Sequence, residues 1–438
     1  MIYRLLKIII GLGIRLYYKE VRIKNPENAK YKGPLIVITN HPNTMMDAWI
    51  IGKLFNRRLF FMAKATFFST PLKRWFLGSI GLIPINRTTE LKTKGVSNKN
   101  SFEMCYNILE QGNILVIFPE GNSFLERKLR DLKSGTARIA MEVVTRGKTR
   151  SELKIIPVGL VYSKAEKFRS SVFANVGKPI NPYKYIEEYK VSSVQASKEL
   201  TDEFRNSLEN LLVSSSSTAN EILVDNIIEV LSSKYTRTKE RGVEKNVIRI
   251  KEINERINEI VRIDSPRIEE IRILTERIKN KLKKLDIKPD FLDRSYRPRM
   301  FTRQILQSLL FLVIGLPLFL YGQIHNIFQY KLIDIIITKL VKDLEYYAAI
   351  AVLMGIFLYP LTYFGFIELV DHFIPLTFIV KLIYFASMPL LGLFAFSFQK
   401  YIGHISFKTN YLFLMKTERE SINTLRMERE KLRQLIFD

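Results

Sequence analysis

The sequence predicts an α/β amino-terminal domain with a mixed, largely parallel sheet flanked by helices, followed by a helical insert and carboxy-terminal membrane helices. Between residues 19 and 180, short apolar runs alternate with helical patterns, which is the element order of α/β folds. Several of these runs are continuously apolar, as in strands buried on both faces. Beyond residue 304, the apolar runs become long enough to cross a bilayer.

Residues 1–18 predict an interfacial amphipathic helix. At helical spacing, Arg4, Lys7 and Arg15 project onto one narrow face, and the remainder is apolar. The segment is too short and too charged for a clean membrane span, and no cleavage site of a secretory signal follows it. Such a helix suits the headgroup layer. The alternative is an ordinary amphipathic helix packed on the next domain.

Residues 19–185 form the predicted α/β domain. Helical patterns near residues 47–56, 99–111 and 133–147 lie between the strand-like runs, as expected for βα alternation. The predicted strands are residues 19–24, 34–39, 59–63, 82–86, 113–118, 154–160 and 170–177.

Residues 186–303 predict a charged helical domain or linker. Isoleucines recur at three- and four-residue spacing from Ile250 to Ile260, and a second such stripe follows from Ile271 to Leu285. Between the stripes, Ser265 followed by proline predicts a helix start. From residue 277 to 303 there are ten Lys or Arg and three acidic residues. Such a cluster beside apolar segments suits anionic headgroups.

Residues 304–400 predict membrane-embedded helices, and residues 401–438 an amphipathic tail. Residues 346–367 carry no charge, and residues 373–398 are apolar apart from Lys381. Their outer flanks are basic, so the positive-inside rule places both flanks, and with them the amino-terminal domain, on the cytoplasmic face. The earlier run 305–322 is interrupted by a glycine and a proline. We therefore expect a broken, re-entrant or interfacial segment there.

The charge of the chain favours an anionic partner, and its cysteine content excludes disulfide-stabilised and thiolate-metal proteins. The formal net charge of +25 predicts an anionic partner. No zinc-finger, helix-turn-helix or ribonucleoprotein signature is found, so lipid is favoured over nucleic acid. A single cysteine, Cys105, excludes a disulfide framework or thiolate metal site within the chain, and we predict no metal site. His325, His372 and His404 lie in or beside the apolar region and are interpreted as structural or interfacial.

The fourth histidine, His41, follows a predicted strand in the segment N-H-P-N-T-M-M-D. Asp47 follows shortly after it, and such a carboxylate can orient one imidazole nitrogen while the other takes a proton from a hydroxyl. By itself this spacing is weak, because geometry decides the role.

Three further segments carry candidate site residues. G-L-I-P-I-N-R ends in Arg87, whose planar fork suits a phosphate. F-P-E-G-N-S follows a buried strand and contains Glu120, Gly121 and Ser123; its glycine lets the backbone approach an anion. I-I-P-V-G-L-V-Y contains Pro157 and can line an acyl site. A surface arginine, an ordinary turn and a core strand with a bulge are the respective alternatives.

Together these four ordered segments resemble the motif blocks of the glycerolipid acyltransferases, which include glycerol-3-phosphate and 1-acylglycerol-3-phosphate acyltransferases. The resemblance covers roughly residues 15–185 and includes F-M-A-K-A-T-F-F around Lys64 and K-S-G-T-A-R-I-A from Lys133. The apolar region, with L-Y-G-Q-I-H-N from residue 320, is similar to a bacterial branch of that family.

This resemblance implies the glycerolipid acyltransferase fold and a role for each candidate. His41 would deprotonate the acceptor hydroxyl, and Asp47 would orient it. The residues that bind the acceptor would be Arg87, Glu120, Gly121 and Ser123. Pro157 would belong to the acyl-binding side. Additional cationic contacts would come from Lys64, Lys133 and Arg138. The acceptor would be glycerol phosphate or lysophosphatidic acid. The co-substrate would be acyl-CoA, acyl carrier protein or an acyl phosphate, with no bound cofactor. Membrane phospholipids would be the other partners.

The sequence departs from the family pattern at one point. Five residues separate His41 from Asp47, where the family has four. One extra residue rotates a helical side chain by about 100°. Pro42 can absorb this residue by delaying the helix start or shaping a turn. Two other hypotheses remain open: an acyltransferase for another lipid acceptor, and a non-catalytic membrane tether that retains the fold.

Overall fold

The computed structural model describes residues 2–86, 98–213, 217–231, 240–263, 265–293 and 298–438. The chain divides into two compact units. Unit 1 consists of Met1–Ser214, Glu240–Val247 and Val341–Val352. Unit 2 consists of Ser215–Lys239, Ile248–Leu340 and Leu353–Asp438.

Unit 1 contains a seven-stranded sheet within the described residues, in the order β1-β7-β6-β2-β5-β3-β4. Neighbouring strands are parallel apart from the antiparallel pair β6 and β7, so the predicted mixed, largely parallel sheet is confirmed. The strands are β1 Glu20–Lys24, β2 Leu35–Thr39, β3 Leu59–Lys64, β4 Leu82–Ile85, β5 Ile114–Ile117, β6 Lys154–Tyr162 and β7 Ser171–Val176. Each coincides with a run predicted from the sequence.

Helices cover this sheet and bury its central strands. Every residue of β2 and β5 is buried, which explains why these two runs show no alternation of polarity. The helices of unit 1 up to residue 211 are α1 Ile2–Tyr17, α2 Thr44–Gly52, α3 Pro71–Ser79, α4 Lys99–Glu110, α5 Gly135–Arg146, α6 Ile186–Val191 and α7 Ser193–Leu211. Cys105 of α4 is buried, and burial raises the pKa of its thiol to about 12, which makes it a packing residue rather than a nucleophile.

The topology brings the loops after β2 and β5 together. These strands are parallel neighbours, with Leu35 opposite Ile114 and Ile38 opposite Ile117. Because the carboxyl ends of parallel neighbours meet at one edge of the sheet, the chain that leaves β2 at Thr39 lies beside the chain that leaves β5 at Ile117. These are the two segments in which the sequence places His41 and Glu120.

Unit 2 contains both isoleucine-rich stripes of the predicted charged domain, whereas residues 186–214 of that predicted domain lie in unit 1. The isoleucines at 250, 253, 257 and 260 are all buried, and so are Ile271, Leu274, Ile278 and Leu282 of the second stripe. The helices that carry them meet at the predicted boundary, since the second begins at Ser265. In order, the remaining helices of the chain are α8 Thr218–Val230, α9 Gly242–Ile263, α10 Ser265–Lys284, α11 Pro289–Leu292, α12 Pro298–Leu340, α13 Tyr347–Phe373, α14 Phe378–Thr417 and α15 Arg419–Phe437.

Three of these helices are long and apolar enough to cross a membrane, within the part of the chain that the structure describes: Thr302–Leu340, Leu344–Phe373 and Phe378–Thr417. The predicted break in the first is absent, because α12 continues through Pro317. Gly315 instead allows close packing, since a Cβ there would lie 2.5 Å from the ring of Phe398 on α14. Small residues at such contacts let apolar helices approach closely, and neighbouring helices make an internal proline tolerable.

Polar side chains link α12 to α14. His325 bonds the Tyr321 carbonyl through Nδ1 and the Tyr384 hydroxyl through Nε2, each at 2.8 Å. One residue further on, Asn326 Nδ2 donates to the Met388 carbonyl at 3.0 Å. Both ring nitrogens of His325 are therefore engaged within the helix bundle, which agrees with the structural interpretation of this histidine.

Candidate active site

His41 lies two residues beyond the end of β2, with its ring fixed from two sides. Its Nδ1 is 2.9 Å from Asp47 Oδ2, and the ring stacks on Phe118 with centroids 3.8 Å apart. When Nδ1 carries the proton donated to Asp47, Nε2 is the basic nitrogen. The side chain keeps partial access to solvent, whereas that of Asp47 has none. The geometry thus supplies the oriented imidazole that a general base requires.

Asp47 is fully buried and receives three hydrogen bonds. Besides His41, the donors are the Asn43 backbone N–H at 2.7 Å and the Tyr162 hydroxyl at 2.6 Å. A buried carboxylate is tolerable only with such donors. Burial, followed by the Asp47 charge, holds the pKa of Tyr162 well above its usual value, so the phenol stays a neutral donor. The role of Tyr162 was not predicted; its only signal in the sequence is a hydroxyl at the end of an otherwise apolar strand.

Removing the Tyr162 hydroxyl should destabilise unit 1. We expect Tyr162→Phe to cost about 1–3 kcal/mol, because the buried carboxylate loses a charged hydrogen bond. This corresponds to a melting temperature lower by roughly 3–10 °C. Thermal unfolding followed by circular dichroism in detergent measures it. In the matched control Tyr31→Phe, the lost bond faces solvent, and the melting temperature should change little. Equal shifts for the two variants would contradict the assignment.

The five-residue spacing is accommodated before the helix begins. Helix α2 starts at Thr44, after Pro42 and Asn43, so the late start expected from the proline is observed. Thr44 has a φ of 42°, in the left-handed region, which is strained for a β-branched residue. Its hydroxyl donates to the Glu345 carbonyl at 3.0 Å, a contact within unit 1. The extra residue therefore sits in this turn, and His41 and Asp47 still meet.

Two asparagines hold the turn that carries His41. The Asn40 side chain pairs with the Leu160 backbone through both of its polar atoms, at 2.8 and 2.9 Å. Asn43 Nδ2 donates to the Tyr18 hydroxyl at 3.0 Å and to the Ala165 carbonyl at 3.1 Å. Asn40 and Asn43 thus hold the turn that carries His41 in place. This role was not predicted from the sequence.

Glu120 ties the loop after β5 to the histidine. Its Oε1 accepts from the His41 backbone N–H at 3.0 Å, and Oε2 accepts from the Arg130 N–H at 3.1 Å. The His41 carbonyl in turn accepts from the Phe124 N–H at 3.0 Å. Burial raises the pKa of Glu120, and these amides oppose the shift. Support of the histidine loop is the contact seen; binding of the acceptor by Glu120 stays a prediction.

Gly121 brings a lysine close to the same loop. Its φ is 79°, and a Cβ there would lie 2.5 Å from Lys133 Nζ. The Lys133 N–H also donates to the Pro119 carbonyl at 2.9 Å. The positive φ favours glycine here, and the missing Cβ leaves room for the Lys133 side chain. The cationic end of Lys133 therefore lies against the loop of Glu120, whereas the sequence predicts it only as an additional cationic contact.

The other predicted residues occupy different positions. Ser123 is half-buried in the loop after β5, Lys64 is half-buried at the end of β3, and Pro157 is buried within β6 opposite Ile38. Arg138 is exposed on α5, with its guanidinium 5.9 Å from the Phe102 ring of α4. Arg87 lies outside the described residues. The structure thus joins His41, Asp47, Glu120, Gly121 and Lys133, and their substrate roles stay predictions. Among the described residues, no cluster of three His, Cys, Asp or Glu could hold a metal ion.

Comparison with known proteins agrees with this arrangement. The sequence profile of the Acyltransferase family matches residues 20–161, a segment that includes the histidine turn and the loop of Glu120. The amino-terminal domain is thus similar to the Acyltransferase family over this segment. The resemblance to glycerolipid acyltransferases is confirmed by relatives among the curated proteins.

Two of these relatives illustrate the similarity. Glycerol-3-phosphate O-acyltransferase 2 of Saccharomyces cerevisiae is 31% identical over 132 residues, which are 28% of this chain and 18% of the yeast protein. The probable 1-acyl-sn-glycerol-3-phosphate acyltransferase of Mycoplasma pneumoniae is 30% identical over 136 residues, 30% of this chain and 48% of that protein. The chain therefore matches less than half the length of either relative.

A solved structure is also similar to part of the chain. It is the 1-acyl-sn-glycerophosphate (LPA) acyltransferase PlsC from Thermotoga maritima, with a TM-score of 0.34 and 20% sequence identity. The similarity covers 47% of this chain and 79% of that chain.

Proposed function

We propose that the chain is a membrane-bound O-acyltransferase of phospholipid synthesis. It moves a fatty acyl group from an acyl thioester to a hydroxyl of 1-acylglycerol-3-phosphate or glycerol-3-phosphate. The single observation that carries the proposal is the 2.9 Å contact between His41 Nδ1 and the buried Asp47, inside a segment that is similar to the Acyltransferase family. The relatives named for glycerol-3-phosphate and for 1-acyl-sn-glycerol-3-phosphate support both acceptors.

The proposed reaction is a direct transfer. His41 Nε2 takes the proton of the acceptor hydroxyl as its oxygen attacks the thioester carbonyl. The tetrahedral intermediate collapses as the carbon–sulfur bond breaks, and His41 returns the proton to the departing thiolate. Asp47 keeps the proton on Nδ1 and stabilises the imidazolium that forms. In this proposal the Lys133 ammonium, which lies close to Gly121, binds an anionic group of the acceptor.

The proposed membrane location follows from the chemistry of substrate and product. Each buried methylene contributes about 0.8 kcal/mol, so release of an acyl chain into water is unfavourable. The three candidate spans support retention at a bilayer. We place the catalytic domain on the cytoplasmic face, because the outer flanks of residues 346–367 and 373–398 are basic. Protease digestion of sealed vesicles of each orientation tests this: the domain must be cut only where the cytoplasmic face is outward.

The decisive experiment assays the purified full chain in lipid nanodiscs. Glycerol-3-phosphate and 1-acylglycerol-3-phosphate are each offered with acyl-CoA, acyl carrier protein thioester or acyl phosphate, the acyl group carrying the label. Ester formation with at least one thioester, lost in the His41→Ala variant, supports the proposal. Transfer to another lipid hydroxyl alone would favour a different acceptor. Absence of transfer to any acceptor would favour the non-catalytic tether.

Loss of Arg87 should weaken acceptor binding. We expect Arg87→Ala to raise the Michaelis constant for the acceptor about tenfold or more, with a smaller change in kcat, because a charged bond to phosphate contributes roughly 1.5–3 kcal/mol. Initial rates at varied acceptor concentration measure the two constants. Arg150→Ala, at an exposed position of the same domain, is the matched control and should keep both constants. An unchanged Michaelis constant in Arg87→Ala would refute the assignment.

A further inference from the structure

Helix α3 of unit 1 is amphipathic in composition but buries none of its residues. Residues 71 to 76 are all exposed; Leu72 is 73% exposed and Trp75 62%. Phe67, in the turn before the helix, is 56% exposed. A short helix gains little stability from backbone hydrogen bonds alone and normally depends on burial of its apolar side. This side, with its large exposed aromatic residues, is therefore one that another apolar medium would cover.

A second exposed apolar stripe lies on α1. Leu5, Ile8 and Leu12 are each more than half exposed, while Ile14 and Tyr17 of the same helix are buried in unit 1. Helix α1 is therefore packed on its own domain through one face and leaves an apolar stripe on another. The packed interpretation of residues 1–18 is thus observed on one face, and the interfacial interpretation stays a prediction for the exposed apolar stripe.

Arg58 connects the two exposed surfaces. Its guanidinium lies 5.9 Å from the ring centroid of Tyr3, near the start of α1. The same group donates to the carbonyls of Gly78 and Ser79, at the end of α3, at 3.2 and 2.7 Å. One side chain thus contacts both helices, so their exposed apolar residues belong to neighbouring parts of unit 1.

The charge around these residues identifies the covering medium. Residues 48–86 contain six Lys or Arg and no Asp or Glu, and residues 1–18 add three basic residues and no acidic one. On α3 itself, Lys73 and Arg74 are exposed beside Leu72 and Trp75. A protein partner would need an acidic rim around an apolar centre. An anionic bilayer offers both features over any area, and tryptophan favours its interface.

We propose that α3, together with the apolar stripe of α1, inserts into the headgroup layer of an anionic phospholipid bilayer. Unit 1 then contacts the membrane through its own surface, independently of the carboxy-terminal apolar helices. Phe67, Leu72 and Trp75 enter the acyl boundary, and Lys73 and Arg74 meet lipid phosphates. Insertion of this surface into a bilayer does not depend on acyl transfer, so the two proposals can be tested separately.

The tryptophan content gives a direct test. The chain has two tryptophans, Trp49 and Trp75, so Trp49→Phe leaves Trp75 as the single reporter on α3. The variant is placed in phosphatidylglycerol nanodiscs whose acyl chains carry bromine either near the headgroup or near the chain end. We expect bromine near the headgroup to quench Trp75 fluorescence about twofold, and bromine at the chain end to quench it less, as for an interfacial residue.

The control variants and the emission wavelength distinguish lipid from water or protein as the surroundings of α3. In Trp75→Phe, which keeps only Trp49 in α2, quenching by shallow bromine should be much weaker. Trp75 fluorescence that is unaffected by bromine and red-shifted would show α3 in water, and the proposal would be wrong. Blue-shifted fluorescence without bromine quenching would show that protein, such as a second copy, covers α3, which also overturns it. If Trp49→Phe fails to fold, a nitroxide at Leu72→Cys in a Cys105→Ala background reports the same depth by oxygen accessibility.

Discussion

Replacing His41 by alanine is expected to abolish acyl transfer, with a fall in kcat of about 10³-fold or more, because the attacking hydroxyl loses its proposed general base. The fold should persist. The contacts that lock the histidine loop to the loop after β5 are made by the His41 backbone N–H and carbonyl, which alanine retains. Asp47 also keeps two of its three donors. Single-turnover transfer of a labelled acyl group measures the effect.

The matched control for this variant is His372→Ala, a substitution of the same size at an exposed histidine of the apolar region. It should transfer at the parent rate. Circular dichroism and the melting temperature of both variants show whether each is folded. A folded His41→Ala protein with parental activity would eliminate the base mechanism, and no rearrangement of the other described residues would rescue it.

Local patterns were sufficient to predict the sheet. Short continuous apolar runs such as those of β2 and β5, which are rich in isoleucine and valine and lie between helical patterns, indicate buried strands. The pairing of His41 with Asp47 was predictable for a similar reason, since the two lie in one short segment. What the sequence could not give was the conformation of the turn between them. The left-handed φ of Thr44 is a property of its surroundings, not of its residue type.

Contacts between distant segments were missed. Tyr162 is 115 positions from Asp47, and nothing in its local pattern marks the contact. Glu120 appears in the sequence as a candidate for acceptor binding, yet both of its oxygens are occupied by backbone amides. The predicted break in α12 is wrong because a local pattern was given too much weight. A local rule about glycine and proline predicts a break, but α12 is continuous through Pro317 and packs closely against α14 at Gly315.

Substituting Asp47 by asparagine should reduce kcat by about 10³- to 10⁴-fold while the acceptor Michaelis constant changes little. A buried orienting carboxylate acts through the tautomer of its histidine, and this magnitude is the one known for the Ser-His-Asp triad. Three donors converge on Asp47, and an amide can accept from only part of them. When the new NH₂ faces His41, Nδ1 must accept the hydrogen bond. The ring proton then resides on Nε2, the nitrogen that has to remove the proton from the hydroxyl.

Steady-state kinetics and nitrogen NMR of the His41 ring together test this argument. The spectrum should show the proton on Nδ1 in the parent protein and on Nε2 in Asp47→Asn. Asp225→Asn, a charge-equivalent substitution in unit 2, should leave both the rate and the tautomer as in the parent. A folded Asp47→Asn variant that transfers acyl groups within about twofold of the parent would show that Asp47 only fills a buried site, since a change of tautomer cannot leave general-base catalysis intact.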